Sequence, residues 1–364
     1  MNTRPVIDES VGPYSLSTAF NNDTSCFSVG LDTGFCEVRN DTSTEAIGFL
    51  SLTYATVFNA GIGIAEMLGQ SNYLAIVGGG RNPKFPQNKL IIWDDAKQKI
   101  AITLEFRTSV LGVRLSKTRI VVALLNSIHV FAFSTPPHKL SVYETSDNPL
   151  GLACLGQKLL AFPGRSLGSS PLRAMALSPD GEVLATGSES YGYSRRQIAG
   201  KWQSFDGRGP RSDIFAFFSP SNSLLAVTSD KSTLHIFDVP HPREMTRRSQ
   251  SPAAATEEGT NQKWGFLSRV PLLPRLFSDE YSFANANFDI GDGTVPGSPS
   301  LAPHSVPTGR PQKGITGWLD DRTILVIGAG RDGRWEKFVL YDGEDGKRYC
   351  VRDGWKRYLG GSTF

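Results

Sequence analysis

The chain has 364 residues, with 38 Lys and Arg against 35 Asp and Glu, a net charge of +3, five histidines and four cysteines. A balance this close to neutral excludes a general electrostatic footprint for nucleic acid, so any basic partner surface is local. Cys26, Cys36, Cys154 and Cys350 lack CxxC spacing, His129, His138, His235, His241 and His304 do not cluster, the N-terminus is polar and no run of about 18 apolar residues occurs; the reading is a cytoplasmic protein with no metal, cofactor, disulfide framework or membrane span.

In chain order, Cys26 to Cys36 alternates apolar and small residues around Asp32-Thr33-Gly34 and predicts a first hairpin. Glu37 to Ala60, with the polar patch Asn40 to Glu45, fits no clean strand register. From Gly61 the pattern sharpens. Tyr73 to Val77 is followed by Gly78-Gly79-Gly80, a loop from Arg81 to Asn88, and Lys89-Leu90-Ile91-Ile92-Trp93-Asp94, whose Trp-Asp ending is the WD-repeat signature at the end of a strand. The glycines invite a phosphate-loop reading, but no helical pattern follows and Gly-Lys-Ser/Thr is absent. Ile100 to Phe106, Val110 to Leu115, Ile120 to Leu125 and Ile128 to Phe133 predict a further strand series, ended by Ser134-Thr135-Pro136-Pro137.

Leu150 to Cys154 and Lys158 to Phe162 begin a fourth blade that breaks off at Pro163 to Gly168, where two more strands belong. Ser170-Pro171-Leu172-Arg173 opens a fifth. Its second half, Tyr191 to Arg211, is rich in Gly, Arg and Gln and reads closer to loop than strand. Ser178 to Ser188 aligns with Ser219 to Ser229 at an offset of 41 residues, the period of a propeller blade. Leu224 to Val227 and Leu234 to Phe237 flank the turn Ser229-Asp230-Lys231-Ser232 and predict a hairpin closed by Asp238. His241 to Pro311 is dominated by Ser, Pro, Ala, Gly and Thr. Gly314 to Leu319, Thr323 to Ile327 and Trp335 to Tyr341, closed by Asp342, make a last blade, and Arg348 to Leu359 reads as a basic, aromatic tail.

The expected fold is therefore all-β: residues 1–364 form a single seven-bladed WD40-type β-propeller, short of strands in blades 4 and 5. A long, disordered loop is expected in blade 6 at residues 242–312, with an apolar island at 264–283.

Three groups of residues invite a functional reading. Thr228, Ser229, Lys231, Ser232, Thr233 and His235 offer hydroxyl donors, a mobile cation and an imidazole to a phosphate; an ordinary hairpin turn with a structural histidine is the bland alternative. The island carries Trp264, Phe266, Leu267, Leu272, Leu273, Leu276 and Phe277, with Lys263, Arg269 and Arg275 interleaved. Exposed, it would aggregate, so it either packs on the propeller or meets a membrane interface, which the interleaved cations favour. The pairs Asp94-Asp95, Asp320-Asp321 and Glu344-Asp345 have no base, nucleophile or metal ligand beside them and read as turn carboxylates, so no enzyme is indicated.

Phe85-Pro86-Gln87-Asn88-Lys89 with Trp93-Asp94, and Thr228-Ser229-Asp230-Lys231 with His235-Ile236-Phe237, resemble the PROPPIN family of seven-bladed, phosphoinositide-binding propellers, and most of all its fungal Svp-like (Hsv) branch, related to the autophagy propellers. The resemblance covers most of the chain. It implies binding to phosphatidylinositol 3-phosphate or 3,5-bisphosphate at vacuolar, endosomal or autophagic membranes, with autophagy or trafficking proteins as partners. It implies one headgroup site at Thr228, Ser229, Lys231, Thr233 and His235, another at Ser170, Arg173, Thr186 and Ser188, and a bilayer-inserting loop at the island. The family's Phe/Leu-Arg-Arg-Gly motif is missing. In its place stands Phe205-Asp206-Gly207-Arg208-Gly209, whose single arginine, Arg208, grips one phosphate but cannot serve two headgroups. A scaffold that has lost lipid binding along with the second arginine is the rival expectation.

Overall fold

The computed structural model describes residues 13–41, 49–166, 171–188, 194–198, 201–205, 215–229, 231–239, 282–289, 313–330 and 333–359. The described strands form seven antiparallel sheets, six of four strands and one of two. Blade 1 is β1 (Ser15–Phe20), β2 (Cys26–Leu31), β3 (Gly34–Asp41) and β4 (Phe49–Val57); blade 2 is β5 (Ile62–Met67), β6 (Tyr73–Gly78), β7 (Lys89–Asp94) and β8 (Lys99–Glu105). Blade 3 is β9 (Gly112–Leu115), β10 (Arg119–Ala123), β11 (Ser127–Ala132) and β12 (Lys139–Glu144), and blade 4 is β13 (Cys154–Leu155) and β14 (Leu160–Ala161). Blade 5 is β15 (Leu172–Leu177), β16 (Val183–Ser188), β17 (Ser194–Ile198) and β18 (Lys201–Phe205). Blade 6 is β19 (Phe215–Phe218), β20 (Leu224–Ser229), β21 (Thr233–Asp238) and β22 (Ala284–Asn287), and blade 7 is β23 (Lys313–Trp318), β24 (Thr323–Gly328), β25 (Arg334–Asp342) and β26 (Arg348–Arg357).

The first strand of each blade touches the first strand of the next: β1 meets β5, β5 meets β9, β9 meets β13, β13 meets β15, β15 meets β19, β19 meets β23, and β23 returns to β1. The ring is closed. Blade 4 keeps its place in it because its inner strand is present. Among the described residues, the seam between blades 7 and 1 uses no shared strand. The Ser15 amide donates to the Gly330 carbonyl at 3.1 Å and the Gly330 amide to that of Ser15 at 3.0 Å. The Tyr358 hydroxyl donates to the Gly328 carbonyl at 2.7 Å, while its ring meets Phe27 edge-on at 5.5 Å.

Strands inside each blade are covered on both sides, so β2 and β20 are buried along their whole length and read as continuous apolar or small runs. The core is divided between neighbours. Blades 6 and 7 share Leu224, Ala226, Leu234 and Ile236 with Trp318, Ile324 and Phe338, and blades 5 and 6 share Ala174, Ala176, Val183 and Ala185 with Leu225, Val227 and Phe237. Blade 4's Ala153, Leu155, Leu160 and Phe162 pack on Val121, Ala123, Ile128 and Val130 of blade 3.

Five stretches differ from the sequence expectation. Glu37 to Ala60 holds the end of β3 and all of β4, paired from Gly34 with Val57 to Asp41 with Phe49. Tyr191 to Arg211, read as loop, contains β17 and β18, which extend blade 5 from the edge of β16. Lys99–Glu105 is the outer strand of blade 2, not the start of blade 3. Arg348–Arg357 is the outer strand of blade 7 rather than a tail. The physical reason is common to β8 and β26: outer strands are held by backbone hydrogen bonds and stand largely in solvent, so they need no apolar alternation. Within the stretch expected as an insertion, Ala284–Asn287 pairs with β21 as the outer strand of blade 6.

Candidate functional site

The hairpin of blade 6 turns through residues 229–233, where the Ser232 amide donates to the Ser229 carbonyl at 3.0 Å and Ser232 takes a left-handed φ of 58°. Ser229 pairs with Thr233, and Val227 with His235. On the far side of β21, Thr233 pairs with Asn287 and His235 with Asn285. Alternation then sorts the side chains. Leu225, Val227 and Phe237 pack toward blade 5, so Ser229, Thr233, His235, Asn285 and Asn287 share that face. Lys231 stands exposed at the tip. The His235 Nδ1 lies 3.3 Å from the Ser282 Oγ, and its ring is 6.4 Å from that of Phe237. The result is an apolar floor with the buried Ser229 above it and a rim of the Thr233 hydroxyl, amides, an imidazole and a cation, a donor set suited to phosphate or polyol oxygens.

Thr228 lies on the other face. It is buried, and its Oγ1 donates at 2.7 Å to the carbonyl of Gly314 in blade 7. Gly314 has a φ of +81°, and a Cβ there would come within 2.8 Å of the Phe288 ring, so the contact requires glycine.

Thr186 and Ser188 occupy β16, with Thr186 paired to Met175 and Ser188 to Leu172. Ala174, Ala176 and Ala185 of this sheet face blade 6, which places Met175, Leu177 and Thr186 on the side toward blade 4. The Leu177 side chain lies against Gly156, and the Cys154 Sγ donates to the Met175 carbonyl at 3.3 Å. Arg173 sits half-buried at the bulge between Leu172 and Ala174. The candidate residues therefore divide between two grooves with blade 5 as the wall between them. Ser170, Arg208, Trp264, Phe266, Leu267, Leu272, Leu273, Leu276 and Phe277 lie outside the described residues.

Sequence reasoning passed over Asn285 and Asn287. Their signal is the alternation Ala284-Asn285-Ala286-Asn287, strand-like inside an otherwise irregular stretch. It also passed over Arg348, which reaches from blade 7 to the ends of β21 and β22. Burial pushes the thiols of Cys26, Cys36 and Cys350 up to about 12, which leaves them unreactive. Among the described residues no three His, Cys, Asp or Glu side chains are grouped to hold a metal ion, and no helix is long and apolar enough to cross a membrane.

No family model matches the chain. The SVP1-like protein 2 of Emericella nidulans is 60% identical over 319 residues, spanning 82% of this chain and all of the relative. That of Neurospora crassa is 39% identical over the full length of both. Among solved structures, Kluyveromyces lactis Hsv2 with its complete loop 6CD superposes with a TM-score of 0.70 at 20% identity, covering 95% of this chain and 99% of the other. The Atg21 chain of a complex with the coiled coil of Atg16 gives a TM-score of 0.60 at 17% identity, with the same coverage.

Proposed function

The chain belongs to the PROPPIN family, in its fungal SVP1-like branch, and on that premise we propose that it is a peripheral membrane protein that recognises phosphatidylinositol 3-phosphate or 3,5-bisphosphate. It acts by binding and recruitment, not by catalysis, at vacuolar, endosomal or autophagic membranes. The observation that carries the reading is the polar rim of blade 6, where Ser229, Thr233 and His235 stand in register on one face beside the exposed Lys231. Hydroxyls and a cation at a groove mouth meet a phosphorylated inositol with several short donors rather than one, and charge-assisted contacts of this kind each contribute about 1.5 to 3 kcal/mol.

Thr186, Ser188 and Arg173, with Ser170, supply the second site across blade 5, and Arg208 serves one of the two. The island at 264–277 adds anchorage: several apolar side chains buried at about 25 cal/mol per Å² add substantially to a weak electrostatic hold. An autophagy protein is the proposed partner class, because a structural neighbour was solved with a coiled coil bound.

Co-sedimentation with phosphatidylcholine vesicles, with and without phosphatidylinositol 3-phosphate, tests the reading. Binding should require the phosphoinositide. Changing Trp264, Phe266, Leu272 and Leu273 together to Ser should abolish it while the propeller still melts cooperatively. Equal sedimentation with both vesicle types, or none with either, would leave the propeller as a protein scaffold without lipid binding.

A further inference from the structure

Four blades end their third strand on an aspartate, Asp41, Asp94, Asp238 and Asp342, and the carboxylates of the last three are used in two ways. In blade 2, Asp94 accepts from the Asn72 side chain at 2.5 Å and from the Lys97 amide at 3.1 Å. In blade 7, Asp342 accepts from Arg322 at 3.1 Å. Both ties stay within their own blade, where the connection to the fourth strand is short, residues 95–98 and 343–347. In blade 6 the corresponding connection runs from 239 to 283, far too long for one carboxylate to close. Asp238 turns instead to the neighbouring blade. Its Oδ1 accepts from the Arg348 Nη1 at 2.8 Å and its Oδ2 from the Nη2 at 2.5 Å. The same guanidinium lies 3.5 Å from the centre of the Phe283 ring.

Asp238 is the last residue of β21, and Phe283 immediately precedes β22. One planar group thus grips both ends of the connection, by a fork on one root and a cation–π stack on the other. Asp342 faces Arg348 in register on β25, yet the fork goes to Asp238. Arginine is suited to this because its five donors and flat face act together, which a lysine cannot reproduce. We propose that Arg348 is a positioning residue that ties both roots of the 239–282 connection to blade 7 and so fixes where that connection begins and ends. The membrane consequence rests on the lipid-docking reading above; the clamp itself does not.

Hydrogen exchange reads the clamp directly. The Phe283 amide donates to the Ile236 carbonyl at 3.0 Å and the Val239 amide to that of Ser223 at 2.7 Å. In Arg348→Gln and Arg348→Lys these two amides should exchange about tenfold faster, while the Leu325 amide in the buried core keeps its protection. Unchanged exchange at Phe283 and Val239 would overturn the clamp. Should Arg348→Gln fail to fold, Asp238→Asn removes the same fork at an exposed position and is held to the same outcome. In a second arm, Arg348→Gln should lose about tenfold in binding to phosphatidylinositol 3-phosphate vesicles and bind soluble inositol 1,3-bisphosphate as the unaltered chain does. Equal loss in both, or in neither, would overturn the positioning role. Failure of the unaltered chain to bind the vesicles would sink the lipid reading and leave the exchange result to decide the clamp.

Discussion

The two faces of blade 6 are made by the same hairpin and do opposite work. Toward blade 7, Leu224, Ala226, Leu234 and Ile236 pack on Trp318 and Phe338, and the one hydroxyl among them, Thr228, is spent on the Gly314 carbonyl. Toward blade 5, Leu225, Val227 and Phe237 pack below, Ser229 is buried above them, and Thr233, His235, Asn285 and Asn287 line the rim. A period of two residues sends neighbours in the chain to different fates. Thr228 and Ser229, adjacent and both hydroxylic, become a strut and a candidate ligand.

That contrast can be broken most forcefully at Trp318. Its indole is buried and its Nε1 donates to the Phe217 carbonyl at 3.0 Å, so Trp318→Ala should cost about 3 to 5 kcal/mol in a denaturant or thermal melt. If stability were scarcely altered, the blade 7 side would not be the scaffold.

The blade 5 side can be sharpened by addition. Gly207→Arg beside Arg208 restores paired arginines, and one more charge-assisted phosphate contact at about 1.5 to 3 kcal/mol should raise vesicle affinity by tenfold or more. Calorimetry against soluble headgroup reads the same gain, and no gain would place the pair away from the site.

Thr228→Val keeps the shape and removes the donor to a buried carbonyl, so it should cost about 1 to 3 kcal/mol of stability with headgroup affinity intact. Ser229→Ala should do the reverse, weakening headgroup binding with little change in melting. Identical behaviour of the two variants would erase the distinction between the faces.

The smallest effect is expected from pH at the same blade 6–7 seam. Burial pushes the Asp321 carboxyl upward, but the Ser221 amide at 3.0 Å, with the hydroxyls of Ser221 and Ser219, holds it below the ordinary carboxylate range. A lowered folded value means the contribution is complete above about pH 4 and fades as pH falls through the folded value. Melts between pH 5 and 2 should therefore show a shallower acid loss in Asp321→Asn; equal slopes would remove the seam's charge from the account.

The amino-acid sequence by itself determined the repeat, the all-β class and most of the inner strands, because a strand covered on both faces must be largely apolar, as Leu90 to Trp93 of β7 and Leu224 to Val227 of β20 are. It also marked Ser229, Thr233 and His235, whose residue types stand out against that apolar pattern. It could not determine β4, β18, β22 or β26 from pattern, since a blade's outer strands are selected by an open backbone edge and not by their side chains; β17, the third strand of blade 5, was hidden because Ser194-Arg195-Arg196-Gln197-Ile198 carries no apolar run. Nor could it say which groove each hydroxyl faces, because strand register decides that. The pairing of Asp238 with Arg348 lies further still from view: 110 residues separate them, and only the closing of blade 7 against blade 6 brings the fork within reach of the carboxylate.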